Sequence, residues 1–458
     1  MIDTDPEALI RDARRRTRRR RTRVAAAGAA LIVGAVLASV ARVPAGRGIV
    51  AETSSRPFAN LRAFGANDGI LAFVSRSQLW VLDGRAGSLR MLTWPWQLAA
   101  DPVFSPDGRW LTYTLDYNDE VFVARANGSD PRRVPDSAGG PASWLPTDEL
   151  LTGGAVVWRI ASDGVITRVA GSPDLMAWSP DGRRYAFVSE RWSGPLPPHP
   201  ARGIEQLSVA TSLDGPRTAW LTVPLSFSPS SGMNGELIDN MLVLTRGHGI
   251  VFKTDPGLSD IADGSGIYEI RAAGAKPRQI GFALGLPVAH AAGDELAITN
   301  APSHNVLNRV QWLTKSVRVC SSNPERCTTL PTAPGVLTLD PAWSPNGRML
   351  AFVEAPSSSQ VEATQQAVQH WYATHSLWLI RRPGATPTPV AGTSGASAPE
   401  WSANRRSILY AAGDSLWLLP TVSSRPIRIA APLFQPGAWP AFYGQVDWAG
   451  QFAWLTRP

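Results

Sequence analysis

The chain has 458 residues, 44% of them apolar and 18 of them tryptophan, enough for a substantial core and incompatible with global disorder. The formal charge of +7 is concentrated at one end, because residues 1–23 hold nine arginines against four acids and the rest is close to neutral. Phosphate neutralisation needs clustered cations, so no nucleic-acid partner is expected for the folded part.

Among 44 basic residues only Lys253, Lys276 and Lys315 are lysines, a bias expected of a GC-rich bacterial genome. The arginine-rich tail, residues 1–23, is followed by an uncharged run from Val24 to Val40. As a helix of about 17 residues it would span roughly 25 Å, close to the thickness of a hydrocarbon core. Arginines before it and fewer cations after it place the tail in the cytoplasm and everything downstream outside. Residues 24–41 are therefore expected to be either a single-pass transmembrane anchor or a signal segment cut after Ala41, which would leave a secreted protein. No cysteine lies near this run, which excludes a lipoprotein, and residues 42–57 read as a linker.

From residue 58 onward the chain repeats itself. The clearest copies are DPVFSPDGRWLTYT (Asp101 to Thr114), LMAWSPDGRRYAFVS (Leu175 to Ser189) and DPAWSPNGRMLAFVE (Asp340 to Glu354). APEWSANRRSILYAAG (Ala398 to Gly413) is a decayed copy, and weaker ones start at Phe64, Ala142 and Val288. Each reads as a strand ending in an aromatic residue, a tight turn whose Asp-Gly or Asn-Gly supplies positive φ, and a return strand with apolar alternation. A second hairpin often follows, as in Ser77 to Leu92, Glu120 to Val134 and Ser376 to Val390. Four antiparallel strands repeated radially describe an all-β propeller.

Turns fall near Asp68, Asp107, Asp148, Asp181, an uncertain position around Gly235, then Gly293, Asn346, Asn404 and Gly450. Their spacing gives seven or eight four-stranded blades across residues 58–458, with eight the direct count. The terminal copy, Gln445 to Arg457, has no second hairpin and is expected to join the first blade and close the ring. The Ser-Pro-Asp-Gly residues, among them Ser179 and Asp107, recur from blade to blade and therefore read as corners rather than as catalytic groups.

Used as a ruler, the repeat places insertions between the second and third strands of four consecutive blades. These are Arg191 to Gly203 in blade 4, Thr254 to Gly266 in blade 5, Pro302 to Lys315 in blade 6 and Pro356 to His375 in blade 7. Such loops all leave on one side of a propeller, and loops held by a rigid scaffold commonly carry binding residues. Trp192, Trp312, Trp371 and Tyr372 within them are the candidate partner contacts. Val368, Trp371 and Tyr372 lie near one face of a short helix that could dock either on the ring or on a partner. Cys320 and Cys327 flank an Asn-Pro turn and are expected to form a disulfide in an oxidising compartment, on the opposite side. Asp255, Asp260 and Asp263 do not match a calcium loop, and His370 and His375 fit a zinc pair poorly, so no metal, cofactor or catalytic residue is expected. GTSGA (Gly392 to Ala396) is no nucleophile elbow, because no histidine follows His375.

The aromatic-Ser-Pro-Asp-Gly-Arg-x-Leu-Ala-Phe pattern resembles the repeat of TolB-like propellers, a WD-type arrangement also similar to the propeller domains of prolyl oligopeptidase relatives. The resemblance covers roughly residues 58–457. It implies a monomeric, non-enzymatic scaffold at the bacterial cell envelope whose partner is an envelope protein, a peptide or a cell-wall glycan. A propeller enzyme acting on polysaccharide (lyase or hydrolase) and a membrane-anchored sensor are the competing expectations.

Overall fold

The computed structural model describes residues 56–456 with interruptions, the longest being 194–200, 256–264, 301–314 and 358–364. Within the described residues the strands form eight antiparallel sheets of four or five strands, together with one two-stranded ribbon. The sheets follow one another along the chain as eight propeller blades. Their first strands are Phe452–Leu455, Ala99–Phe104, Ser143–Trp144, Leu175–Trp178, Leu237–Val243, Val288–Ala289, Val336–Trp343 and Ala396–Trp401 for blades 1 to 8. First strands of successive blades lie against one another, as in 99–104 with 452–455 and 336–343 with 396–401, and so they form the wall around the axis.

The second strand of each blade carries the core. In Ile70–Ser75 and Trp110–Leu115 every residue is buried. Side chains on a strand alternate between its faces. Ile70, Ala72 and Val74 thus pack against Leu111 and Tyr113 of blade 2, whereas Leu71 and Phe73 pack against Leu409 and Leu418 of blade 8. The one-sided burial expected from alternation gives way to burial at every position, because each sheet has a neighbour on both faces.

Two pairings join the ends of the chain. Phe452–Leu455 is the innermost strand of blade 1, with Ile70 opposite Leu455 and Phe73 opposite Phe452. The Trp454 indole N–H donates to the Asp68 carbonyl at 2.6 Å, across 386 positions of sequence. At the other end, Phe58–Ala59 adds a fifth, outermost strand to blade 8, pairing with Ala431 and Ala430. Closure leaves no unpaired inner edge between first and last blades, as the terminal repeat led one to expect.

The expected corners are present and their chemistry is visible. Gly108, Gly182 and Gly347 take φ of 69°, 67° and 65°. The buried hydroxyls of Ser105, Ser179, Ser344 and Ser402 each donate to the Asp or Asn two residues on, at 2.5 to 2.9 Å. Each also accepts the amide five residues on, at 2.9 to 3.0 Å. In the decayed copy Arg405 itself occupies the left-handed region, at φ 66°. Neighbouring corners are fastened together, since the Asp107 amide donates to Asp148 at 2.8 Å and the Ala403 amide to the Thr456 hydroxyl at 2.6 Å.

Two sequence expectations need correction. Blade 4's insertion is not a loop from Arg191 to Gly203: its strands run on as Tyr185–Ser193 and Ala201–Ala210, with Trp192 opposite Gly203. A long third-to-fourth pairing follows, and Gly232–Asn234 adds a fifth strand. In blade 5 the first corner does not lie at Gly235 but after Val243, because Leu237–Val243 pairs with Ile250–Asp255. No Asp-Gly or Asn-Gly marks it.

Removing residues 451–458 is expected to lower the melting temperature and produce soluble oligomers on gel filtration, because the buried edge at Ile70–Ser75 would be left open. Replacing Ser179 with Ala should cost about 1–3 kcal/mol in denaturant unfolding, the usual penalty for orphaning buried polar groups.

Candidate functional site

The first strand of every blade runs away from the side that carries the insertions, the second runs back, and the third and fourth repeat the pattern. Second-to-third loops and the connections between blades therefore share one side, and the Ser-Pro-Asp-Gly corners share the other. The disulfide joins Cys320 to Cys327, opposite residues in the third and fourth strands of blade 6, beside the turn on the corner side.

The first strands of blades 2, 7 and 8 share one irregularity. Asp101-Pro102, Asp340-Pro341 and Ala398-Pro399 each place the residue before proline at positive φ, 51°, 47° and 46°. The pairing register shifts at each of them. Proline cannot donate to the ladder, and a bulge re-aims the side chains around it. These bulges also stitch the inner wall. The Ala398 amide donates to the Asp340 carboxylate at 3.0 Å, the Asp101 amide to the Gly450 carbonyl at 3.1 Å, and the Thr114 hydroxyl to the Asp101 carboxylate at 3.1 Å.

Titratable groups gather where blades 6, 7 and 8 meet. Burial raises Asp340 above the usual carboxylate range, against the opposing pull of the Ala398 amide and the positive charge of Lys315. Lys315, itself 3% exposed, opens the third strand of blade 6, beside Thr338, whose hydroxyl accepts the Val317 amide at 2.6 Å. Burial also raises Glu354, at the end of blade 7's second strand, and, nearer the corner end of blade 8's first strand, pushes Glu400 up to about 8. Asp340 and Glu400 keep partial contact with solvent on first strands, the strands that wall the axis. A protonated carboxyl can donate as well as accept, which suits a hydroxyl-rich or amide-rich ligand, while Lys315 supplies a single fixed cation.

Next to this cluster the blade 7 insertion forms the helix Gln365–Ala373. Of its two expected arrangements, docking on the ring is the one seen. Trp371 and Tyr372 are each 7% exposed and join the apolar core with Leu339 and Leu433, and the Trp371 indole donates to the Pro356 carbonyl at 2.9 Å. They are therefore not surface contacts for a partner: burial of their rings fixes the helix to the ring instead. His375 packs edge-on against Trp371 at 4.2 Å and tilted against Tyr372 at 4.6 Å, and burial pulls its imidazole down to about 4. His370 is exposed on the same helix, so the two histidines do not face one another.

The side chain of Trp192 and all of Trp312 lie outside the described residues, as do Asp260 and Asp263. Among the described residues no group of three His, Cys, Asp or Glu side chains is placed to hold a metal ion. Thr393 and Ser394 of the GTSGA segment bind neighbouring backbone, Thr393 accepting the Leu377 amide at 3.0 Å and Ser394 donating to the Ala373 carbonyl at 2.8 Å.

Sequence reading missed one surface feature. Trp94 and Trp96, 54% and 70% exposed, stack in parallel with ring centroids 5.5 Å apart. They flank Pro95 in the connection from blade 1 to blade 2, also on the insertion side. Two tryptophans two apart around a proline, outside any strand pattern, were the available signal.

No protein-family model matches the chain, and no curated protein sequence does. Solved structures similar to it include TolB from Acinetobacter baumannii, at 11% identity over 80% of this chain and 65% of that one, with a TM-score of 0.37. An oligogalacturonate lyase in complex with manganese is 11% identical over 80% of this chain and 96% of that one, at 0.40. The C-terminal WD40 domain of Sif2 is 11% identical over 80% and 94%, at 0.43. Likeness at this level reflects the propeller architecture and carries no activity with it.

Replacing Glu400 with Gln isolates this carboxyl. In the folded chain Glu400 holds its proton up to about 8, and unfolded it ionises near its ordinary 4.5, so stability falls as pH rises through that window. The variant should melt with the wild type near pH 4 and about 3 °C or more above it at pH 9. Parallel melting curves across the range would remove the buried-carboxyl assignment.

Proposed function

We propose that the chain is an extracytoplasmic propeller that works by binding, as a non-enzymatic scaffold at the cell envelope. Its insertion side would engage an envelope protein, a peptide or a cell-wall glycan. Residues 24–41 would tether it to the membrane, with residues 1–23 in the cytoplasm. Among the described residues no helix is long and apolar enough to cross a membrane, and residues 24–41 lie outside them.

The observation that carries this reading is the division of labour between the two sides. On the corner side, blades 2, 4, 7 and 8 repeat one hydrogen-bond pattern. The insertion side differs blade by blade, with the extended sheet of blade 4, the docked helix of blade 7 and the titratable cluster around Asp340. A rigid scaffold with one variable side is the architecture of a binding surface. One observation favours the competing enzyme reading, a polysaccharide lyase or hydrolase: Glu400, protonated near neutral pH, has the character of a general acid.

A photo-crosslinking residue at Ile204, 37% exposed in blade 4's extended sheet, tests the proposal against the same residue at Val165, 50% exposed at a corner-side turn. In intact cells Ile204 should capture a discrete envelope component and Val165 should not. Equal capture from both positions would contradict a one-sided binding surface. Release of oligosaccharide from cell-envelope polysaccharide, abolished by Glu400→Gln, would establish the enzyme reading instead.

A further inference from the structure

We propose that the Trp94–Leu98 connection is a membrane-interface contact that seats blades 8, 1 and 2 on the bilayer. Trp94, Trp96 and Leu98 are 54%, 70% and 40% exposed within five residues, on a turn that its own hydrogen bonds hold rigid. The Gln97 side chain accepts the Trp94 amide at 2.7 Å, the Gln97 amide donates to the Trp94 carbonyl at 3.0 Å, and the buried Thr93 hydroxyl accepts the Leu79 amide at 2.8 Å. Indoles with one apolar body and one polar N–H suit the headgroup region of a bilayer.

The occupant follows from where the chain enters the propeller. Phe58, 44% exposed, pairs with Ala431 at the insertion-side end of blade 8's outer edge. From there a short path of hydrogen bonds leads to the indole pair. Two residues past Ala431, the Leu433 carbonyl accepts the Arg76 amide at 2.9 Å, and the next carbonyl, of Ser77, accepts the amide of Ala99 at 2.9 Å, directly after Leu98. The tether and the exposed tryptophans thus share one side and one sector of the ring.

The inference rests on the reading of residues 24–41 as a membrane segment. The 16 residues from 42 to 57 can reach at most about 55 Å. A tether of that length holds its two ends at an effective concentration on the order of millimolar. A patch that would bind lipid only weakly when free is then occupied when tethered. Seating blades 8, 1 and 2 leaves blades 4 to 6, across the ring, farthest from the lipid.

The test uses the full chain reconstituted with phosphatidylcholine–phosphatidylglycerol vesicles, with and without acyl-chain bromine, comparing wild type with the double variant Trp94→Ser/Trp96→Ser. Both proteins should float with vesicles in high salt. Bromolipid should quench the wild type more than the variant, by about a tenth of total emission given two of 18 tryptophans. Flotation with equal quenching would overturn the docking and leave the tether standing. No flotation would overturn both. A change in indole emission on adding soluble cell-wall oligosaccharide, without bromolipid quenching, would overturn lipid docking in favour of a glycan site.

Discussion

Face-to-face packing of neighbouring sheets is the constraint from which the rest of this structure follows. A four-stranded sheet with two apolar faces cannot be stable alone, because both faces must leave water. Its second strand is consequently buried on both faces: Leu71 and Phe73 face one neighbour and Ile70, Ala72 and Val74 the other. Sheets stacked at a common tilt favour a common corner, and in blades 2, 4, 7 and 8 Ser105, Ser179, Ser344 and Ser402 repeat one hydrogen-bond pattern. A row of stacked sheets still has two exposed ends, and the strand exchange between Phe452–Leu455 and Ile70–Ser75 removes them.

Function is left to the positions that this constraint does not use. Corners, second strands and the disulfide-linked hairpin are committed to the scaffold. The insertion side is free to vary, and the first strands that wall the axis carry Asp101, Asp340 and Glu400 among their apolar residues. The positive φ at Asp101, Asp340 and Ala398 recurs at equivalent places and belongs to the scaffold; what differs between blades is the side chain it presents. Asp340 reaches the next blade, whereas the equivalent alanine in blade 8 leaves Glu400 as that strand's only carboxyl.

Much of the architecture was legible because repetition multiplies a weak signal. A single Ser-Pro-Asp-Gly could be a chance turn, but spaced copies pointed to seven or eight blades and to the closing strand. Legibility failed where the local signal was absent or ambiguous. Blade 5's corner after Val243 lacks Asp-Gly, and the prolines after Arg191 disguised strands that extend to Ser193 and resume at Ala201. Periodicity showed that Trp371 and Tyr372 share a helical face but not what that face meets. The burial of Glu400 follows from the assembled ring and not from its neighbours in sequence, so no local pattern announces it. Trp94 and Trp96 were passed over because the repeat assigns them to a connection.

Native-state hydrogen exchange at the ring closure tests the account most directly. If stacked sheets sealed by Phe452–Leu455 form one cooperative unit, the amides of Val74 and of residues 452–455 will exchange only through global unfolding, with the same dependence on denaturant as the core of blade 2. Rapid exchange of residues 452–455 while the other blades remain protected would mean that the seal contributes nothing to the ring, and the account built on it would be wrong.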